Sequence, residues 1–199
     1  MAVFLKRAEL LCSSVAGIEL HEECLTSLNE RGSKCVSSPS SLLSNSAGVI
    51  TLFHVLEHLP DPIETLIGLK RLLSKDGTLI VEVPHANDFL LNFPTLDAFK
   101  QFALWSPRLV LHTRVSLKAI LEFCGFRVVS IKGVQRYPLS NHVGWLANRK
   151  TGGHVSPLSA LDPWNLTQAY ESSLARIDAI DTFVAFATLE TQARGHDAF

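Results

Sequence analysis

The stretch that decides the fold reads Gly48-Val49-Ile50-Thr51-Leu52-Phe53-His54-Val55-Leu56-Glu57-His58-Leu59-Pro60-Asp61-Pro62. Its opening is a near-continuous apolar run, begun by a glycine and ended by a polar turn, which predicts a buried strand over 48–53. Asp61 then offers a helix cap, Pro62 suits the first helical position, and Glu64 follows three residues after the cap, so a helix starts there. Ile63, Leu66, Ile67, Leu69 and Leu73 give that helix an apolar face, while Lys70, Arg71 and Lys75 favour its negative carboxyl end. Asp76-Gly77 predicts a turn into a second strand over 78–83, which Pro84 ends.

Working outward toward the N-terminus, Phe4, Ala8 and Leu11 stand at helical spacing, and residues 15–20 read as a short buried strand with Glu19 at its carboxyl end. Glu22 and Glu23 suit the start of a second helix, Leu25 and Leu28 give it an inner face, and Gly32 stops it. Residues 34–36 read as a short strand and 37–46 as a serine-rich loop. Toward the C-terminus the period is lost from His85 to His112, where Phe89, Phe93, Phe99, Phe102 and Trp105 are interspersed with prolines. A loop of that length predicts a lid or binding segment. Leu117, Ile120, Leu121 and Cys124 then share a helical face closed by Gly125, and a strand is predicted over 126–131. Residues 136–163 read as irregular, followed by a helix over 165–177 and a closing strand over 182–188. Alternating helix and strand implies an α/β fold, a mainly parallel sheet with helices on both faces. Residues 1–135 are expected to form the main domain, and 136–199 an extension whose closing helix and strand pack on it.

A chain of 199 residues can bury a sizeable core. With 47% hydrophobic and 19% charged residues, strands covered on both faces are expected. A formal charge of -1 with scattered cations argues against a nucleic-acid grip. Cys12, Cys24, Cys35 and Cys124 form no C-x-x-C pair, so reduced thiols in a cytoplasmic protein are expected. Lys6, Arg7 and Glu9 interrupt the opening apolar residues too early for a signal peptide. Residues 36–56 carry no Asp, Glu, Lys or Arg, but their serines, Pro39 and Asn45 disqualify them as a membrane span.

Gly17-Ile18-Glu19-Leu20, then Leu52-Phe53-His54-Val55-Leu56-Glu57-His58, then Lys75-Asp76-Gly77 before Val81-Glu82-Val83-Pro84 resemble, in that order, the class I S-adenosylmethionine-dependent methyltransferase fold over roughly residues 17–131. The resemblance implies a Rossmann-like domain with ligand at the carboxyl ends of the strands, and S-adenosylmethionine as cofactor. It places Glu19 and Leu20 at the cofactor ribose, Phe53 and His54 along the crevice, His54, Glu57 and His58 at the methyl-transfer site, and His85 and His112 on the substrate side. Either His54 or His58 would accept a substrate proton; the alternatives are that Glu57 orients the turn, that His58 packs beneath the next helix, and that His112 is a surface or packing histidine. The branch it resembles most methylates sugars, quinones and other small molecules, so a small-molecule or sugar acceptor is expected. Arg136-Tyr137-Pro138, Asn141-His142 and Trp145 suit either a sugar-binding surface or a subunit contact.

Two departures from that family bear on function. The ribose acid follows the glycine fingerprint of such sites by about 20 residues, and counting back from Glu19 reaches Met1. The expectation is a fold lacking its first strand and its glycine turn, truncated at the N-terminus, with an unpaired strand edge that favours self-association. Ser37-Ser38-Pro39 also stands where an adenine-side acid belongs. Without the turn's backbone donors the chain is expected to bind cofactor weakly, and a catalytically inactive binding or assembly protein is the alternative. His54-x-x-Glu57-His58 also matches the metalloprotease pattern H-x-x-E-H, which needs a helix so that both histidines share a face. Pro60-Asp61-Pro62 opposes that helix, so no metal site is expected.

Overall fold

In a computed structural model of the chain, which describes residues 2–104 and 108–190, the opening apolar run is strand β3 (Ala47–Phe53). It pairs in parallel with β4 (Leu73–Pro84), Leu52 opposite Val81 and Phe53 opposite Glu82. Helix α3 (Pro62–Leu72) makes the crossover, capped by the Asp61 carboxylate, which accepts from the Glu64 N–H at 2.8 Å. Leu66, Leu69 and Leu72 form its buried stripe, whereas Ile63 and Ile67, expected on the inner face, are largely exposed. β4 starts at Leu73 rather than after Asp76-Gly77. Ala47 pairs with Leu73 and Val49 with Thr78, so β4 bulges between these points. Gly77 permits it, because a Cβ there would lie 2.8 Å from the Ala47 carbonyl.

The four-stranded sheet has the order β3-β4-β6-β5, with β5 spanning Phe126–Val134 and β6 Thr182–Leu189. β6 runs antiparallel to both neighbours, while β3, β4 and β5 share one direction, so the sheet is mainly parallel with one reversed strand. Its direction follows from the path of the chain: β5 ends at Val134 opposite Thr182, where β6 begins, so β6 returns along β5. Helix α5 (Arg114–Phe123) packs Leu117 and Leu121 on this sheet, as the period implied, beneath a capping box of Thr113 and Ser116.

β1 (Gly17–Ile18) and β2 (Cys35–Val36) form a separate parallel pair joined by α2 (Glu22–Glu30). The Asn29 side chain locks it, accepting from Cys35 N–H at 2.8 Å and donating to the Cys35 carbonyl at 3.1 Å. Of the strand expected over 15–20, Gly17 pairs with Cys35 and Ile18 with Val36, and Glu19 N–H donates to the Val36 carbonyl at 2.9 Å. Among the described residues no strand pairs with the outer edge of β3. His54 N–H donates to the Glu82 carbonyl, so by the alternation of a parallel ladder Val49, Thr51 and Phe53 turn their backbone groups away from β4. Val49 is 60% exposed. Leu79, Val81 and Val83 of β4 and Phe183, Ala185 and Ala187 of β6 bury one face of the sheet, whereas the alternate residues Thr78, Ile80, Glu82, Val184 and Phe186 on the other face are half-buried, so the expected cover on both faces is incomplete. In α1 (Ala2–Ala8), Leu5 is buried; Phe4 and Leu11, expected as the inner face, are exposed, although the Phe4 ring meets Phe53 edge-on at 5.2 Å.

Residues 136–163, expected as irregular, contain helix α6 (Leu139–Asn148). Its inner face is polar and small: Ser140, Asn141, His142 and Gly144 are buried beside Trp145, so no apolar period announces it. Asn141, His142 and Trp145 are thus interior and line no exposed sugar-binding surface. Trp145 packs with Leu90 and Leu96 and meets the rings of Phe99 and Phe102 on α4 (Asp97–Leu104), which clamps the lid to the extension in a second small core. Trp105 lies outside the described residues. Tyr170 of α7 (Trp164–Arg176) meets His142 Nδ1 at 2.5 Å.

Two buried groups in this region titrate in opposite senses. Burial pushes His142 down to about 4 from 6.5, so the unfolded chain binds a proton there that the fold refuses, and stability falls as pH drops through that window. Burial pushes Asp88 up to about 6 from 3.8, so the fold binds that proton first and gains stability as pH falls between those values. Asp88→Asn keeps the acceptor that caps Leu90 and Leu91 and removes the compensation. Urea unfolding at pH 7 and pH 5 is expected to show D88N losing roughly 1 kcal/mol more than the wild type on acidification.

Candidate functional site

The carboxyl ends of β3 and β4 meet at His54, which directly follows β3 and holds a left-handed backbone, φ 53°. A non-glycine residue in that region costs about 1 kcal/mol or more and persists where surrounding contacts over-determine it. Those contacts are present. His54 Nδ1 lies 3.2 Å from Glu57 Oε1 and Nε2 lies 2.9 Å from Glu82 Oε1. The Arg136 guanidinium also touches His54 Nε2, and its Nη1 lies 3.6 Å from Glu82 Oε1.

Glu57 is the buried hub of this corner, 1% exposed on the short turn Leu56–His58. Its carboxylate also lies 3.7 Å from His58 Nε2, and its carbonyl accepts from Leu109 N–H at 2.7 Å, tying down the far end of the lid. Burial pushes the Glu57 carboxyl up, but the hydrogen bond to His54, a backbone hydrogen bond and the fields of His54 and His58 together hold it below the ordinary range. Oε2 has no hydrogen-bond partner among the described residues. The helix that an H-x-x-E-H zinc site requires is not formed: His54 ends a strand and His58 ends a single 3-10 turn.

Arg136 reaches the corner from the turn after β5. Buried Asp181 fixes that turn, its carboxylate accepting from the Arg136, Tyr137 and Gln135 N–H groups at 3.0 Å each. Burial raises the Asp181 pKa against these donors. Sequence reasoning missed Glu82 and Asp181. Glu82 had a signal, being the acid among the apolar residues at the carboxyl end of a strand; Asp181 had none.

The other residues singled out from the sequence lie as follows. Glu19 ends β1 half-exposed, its Oε1 accepting from His21 N–H at 3.0 Å, and Leu20 is 68% exposed. No hydrogen bond or ion pair joins either to His54 among the described residues. Phe53 packs against Phe4. His85 is buried, with Nδ1 3.0 Å from the Ile180 carbonyl and its ring 4.0 Å from that of Phe183. His112 is buried beside it, its carbonyl accepting from Ala86 N–H at 2.9 Å, and burial lowers both histidines. The structure therefore gathers His54, Glu57 and His58 at one corner and sets His85 and His112 beneath the lid, away from solvent.

A family model described as "Methyltransferase domain" matches residues 5–131. No curated protein matches the chain. Among solved structures, a SAM-dependent methyltransferase of Archaeoglobus fulgidus shares 18% identity over 93% of this chain and 80% of that one, with a TM-score of 0.61. A type 11 methyltransferase of Sulfolobus solfataricus shares 12% over 99% and 83%, with a TM-score of 0.56. The [4+2]-cyclase SpnF shares 16% over 89% and 66%, with a TM-score of 0.53. Likeness at these identities establishes the fold, and the cyclase marks how little the fold alone says of the reaction.

Glu57→Gln removes the charge that two histidines face. At pH 7 it is expected to cost about 1.5–3 kcal/mol in urea unfolding, the range for hydrogen bonds to charged groups. Because the folded carboxyl titrates below 4.5, that contribution is present above this pH and lost as pH falls through the folded value, so E57Q and wild type converge in acid.

Proposed function

Since the chain belongs to the methyltransferase-domain family, whose cofactor is S-adenosylmethionine, we propose that it serves methyl transfer to a small molecule or sugar held at the His54 corner. The observation that carries this reading is the strained His54 at the carboxyl end of β3, its ring tethered between Glu57, Glu82 and Arg136. Ligands collect at such strand ends, and strain retained there marks a functional position. In this reading Glu57 holds the imidazole by Nδ1, and Nε2 receives the proton that the acceptor loses. The half-exposed Tyr137 offers a ring for stacking beside the corner.

The residues present fit one wall of the cofactor site. Glu19 supports the ribose hydroxyls in this proposal, whereas the first glycine of the sequence is Gly17, inside β1. Residues 1–16 contain no glycine, and Ser37-Ser38-Pro39 offers no carboxylate after β2. The fit is incomplete, so we propose that the chain as it stands binds the cofactor weakly and that the open edge of β3 seats the strand that completes the cradle. Two or three missing hydrogen bonds of about 1 kcal/mol each weaken binding by roughly 100-fold.

Isothermal titration with S-adenosylmethionine tests this on the chain alone and on a form with a strand and glycine-rich turn fused ahead of Ala2. The fused form is expected to bind at least about 100-fold more tightly. Micromolar binding by the unfused chain overturns the incomplete-cradle reading. Failure of both forms favours a non-catalytic binding or assembly protein, for which the unpaired edge of β3 provides a docking element.

A further inference from the structure

The contacts at His54 Nε2 compete for one site. A guanidinium only donates, so with Arg136 against Nε2 that nitrogen presents its lone pair, and the ring proton sits on Nδ1 facing Glu57. In that state Nε2 has no proton for Glu82 Oε1, 2.9 Å away. With a proton on Nε2 instead, the ring donates to Glu57 and Glu82 together, and Arg136 has nothing there to accept its N–H. Arg136 and a proton therefore exclude one another at this atom.

We infer that Arg136 is a latch on His54, and that the acceptor molecule carries an acidic group, a carboxylate or phosphate, that draws the latch away. The inference rests on the methyl-transfer reading for the acceptor's role and deepens it by naming the acceptor's chemistry. Arg136 is 44% exposed, so the unused part of its fork faces the solvent side of the corner, where a planar or tetrahedral oxyanion meets it bidentately. Asp181 pins its backbone through two N–H groups, so the side chain moves while its root stays fixed. The charged and titratable groups facing the ring are Glu57 from the turn after β3, Glu82 from β4 and Arg136 from the turn after β5. Of these groups, among the described residues, Arg136 is the one that recognises an anion.

The proton balance is simple. Once Arg136 leaves, the acceptor O–H bond breaks, its proton forms the new N–H bond at Nε2, and the oxygen keeps the electron pair as the nucleophile. Glu82 accepts the new Nε2–H while Glu57 keeps Nδ1–H. A neutral acceptor leaves Arg136 in place and the base occupied, so the latch selects acidic acceptors before the transfer step. Arg136 lies beyond the family-matched residues 5–131, which makes this selectivity a property of the extension.

The test needs no cofactor. Imidazole ¹⁵N resonances of His54 are followed at pH 7.5 while glucuronate, inorganic phosphate or glucose is added to the wild type, Arg136→Gln and Arg136→Lys. In the free wild type His54 is expected as the Nδ1–H form. Glucuronate or phosphate is expected to shift Nε2 saturably, glucose to leave it unmoved, R136Q to weaken the response at least about tenfold, and R136K to restore part of it. A proton on Nε2 in the free wild type, an undiminished response in R136Q, an equal response to glucose, or no response to either anion overturns the latch. Cofactor titration separates the two readings: an anion response without cofactor binding by the fused form sinks the methyl-transfer reading alone, and the reverse sinks the latch alone.

Discussion

The register of β3 on β4 is the constraint on which the rest depends. It sets Phe53 opposite Glu82 and lets His54 N–H donate to the Glu82 carbonyl, so the next residue turns off the strand directly beside the Glu82 carboxylate. Leu52, buried opposite Val81, holds that register from within the core. A slip of one residue would turn Leu52 to the other face of the sheet and carry His54 away from the Glu82 carboxylate. Packing energy and site geometry are thus set by the same pairing, and the left-handed His54 is the local cost of ending a strand against a buried glutamate.

Local chemistry made part of this legible before any coordinates. The Asp61 cap, Pro62 and the Leu66, Leu69 spacing announced α3, and the shared face of Leu117, Ile120 and Leu121 closed by Gly125 announced α5. Helix α6 escaped because its inner face is Ser140, Asn141, His142 and Gly144, residues buried by hydrogen bonds and close approach rather than by hydrophobicity. Gly144 shows the reason: a Cβ there would lie 2.8 Å from the Gly153 Cα. The direction of β6 escaped too, since nothing in its alternating apolar residues distinguishes the two senses.

The same division applies to the site. His54, Glu57 and His58 were visible as a short motif after a strand. Their partners were not, because Glu82, Arg136 and Asp181 are separated from them by long stretches of chain and meet only through the order β3-β4-β6-β5. His85 and His112 were read as substrate-side residues and lie in the interior, His85 with Nδ1 on the Ile180 carbonyl and its ring on Phe183, while Nε2 of each is buried without a hydrogen-bond partner among the described residues.

The C-terminal extension is consequently part of the working fold. β6 inserts between β4 and β5 and buries Phe183, Ala185 and Ala187, so the sheet has no continuous core without it. Trp145 clamps the lid whose far end reaches the Glu57 carbonyl, and Asp181 aims Arg136 at the His54 ring. One side of the corner is therefore built from residues close in sequence and the other from residues about a hundred positions later. The strained histidine sits where the two meet, and each side alone leaves its ring with an unopposed partner.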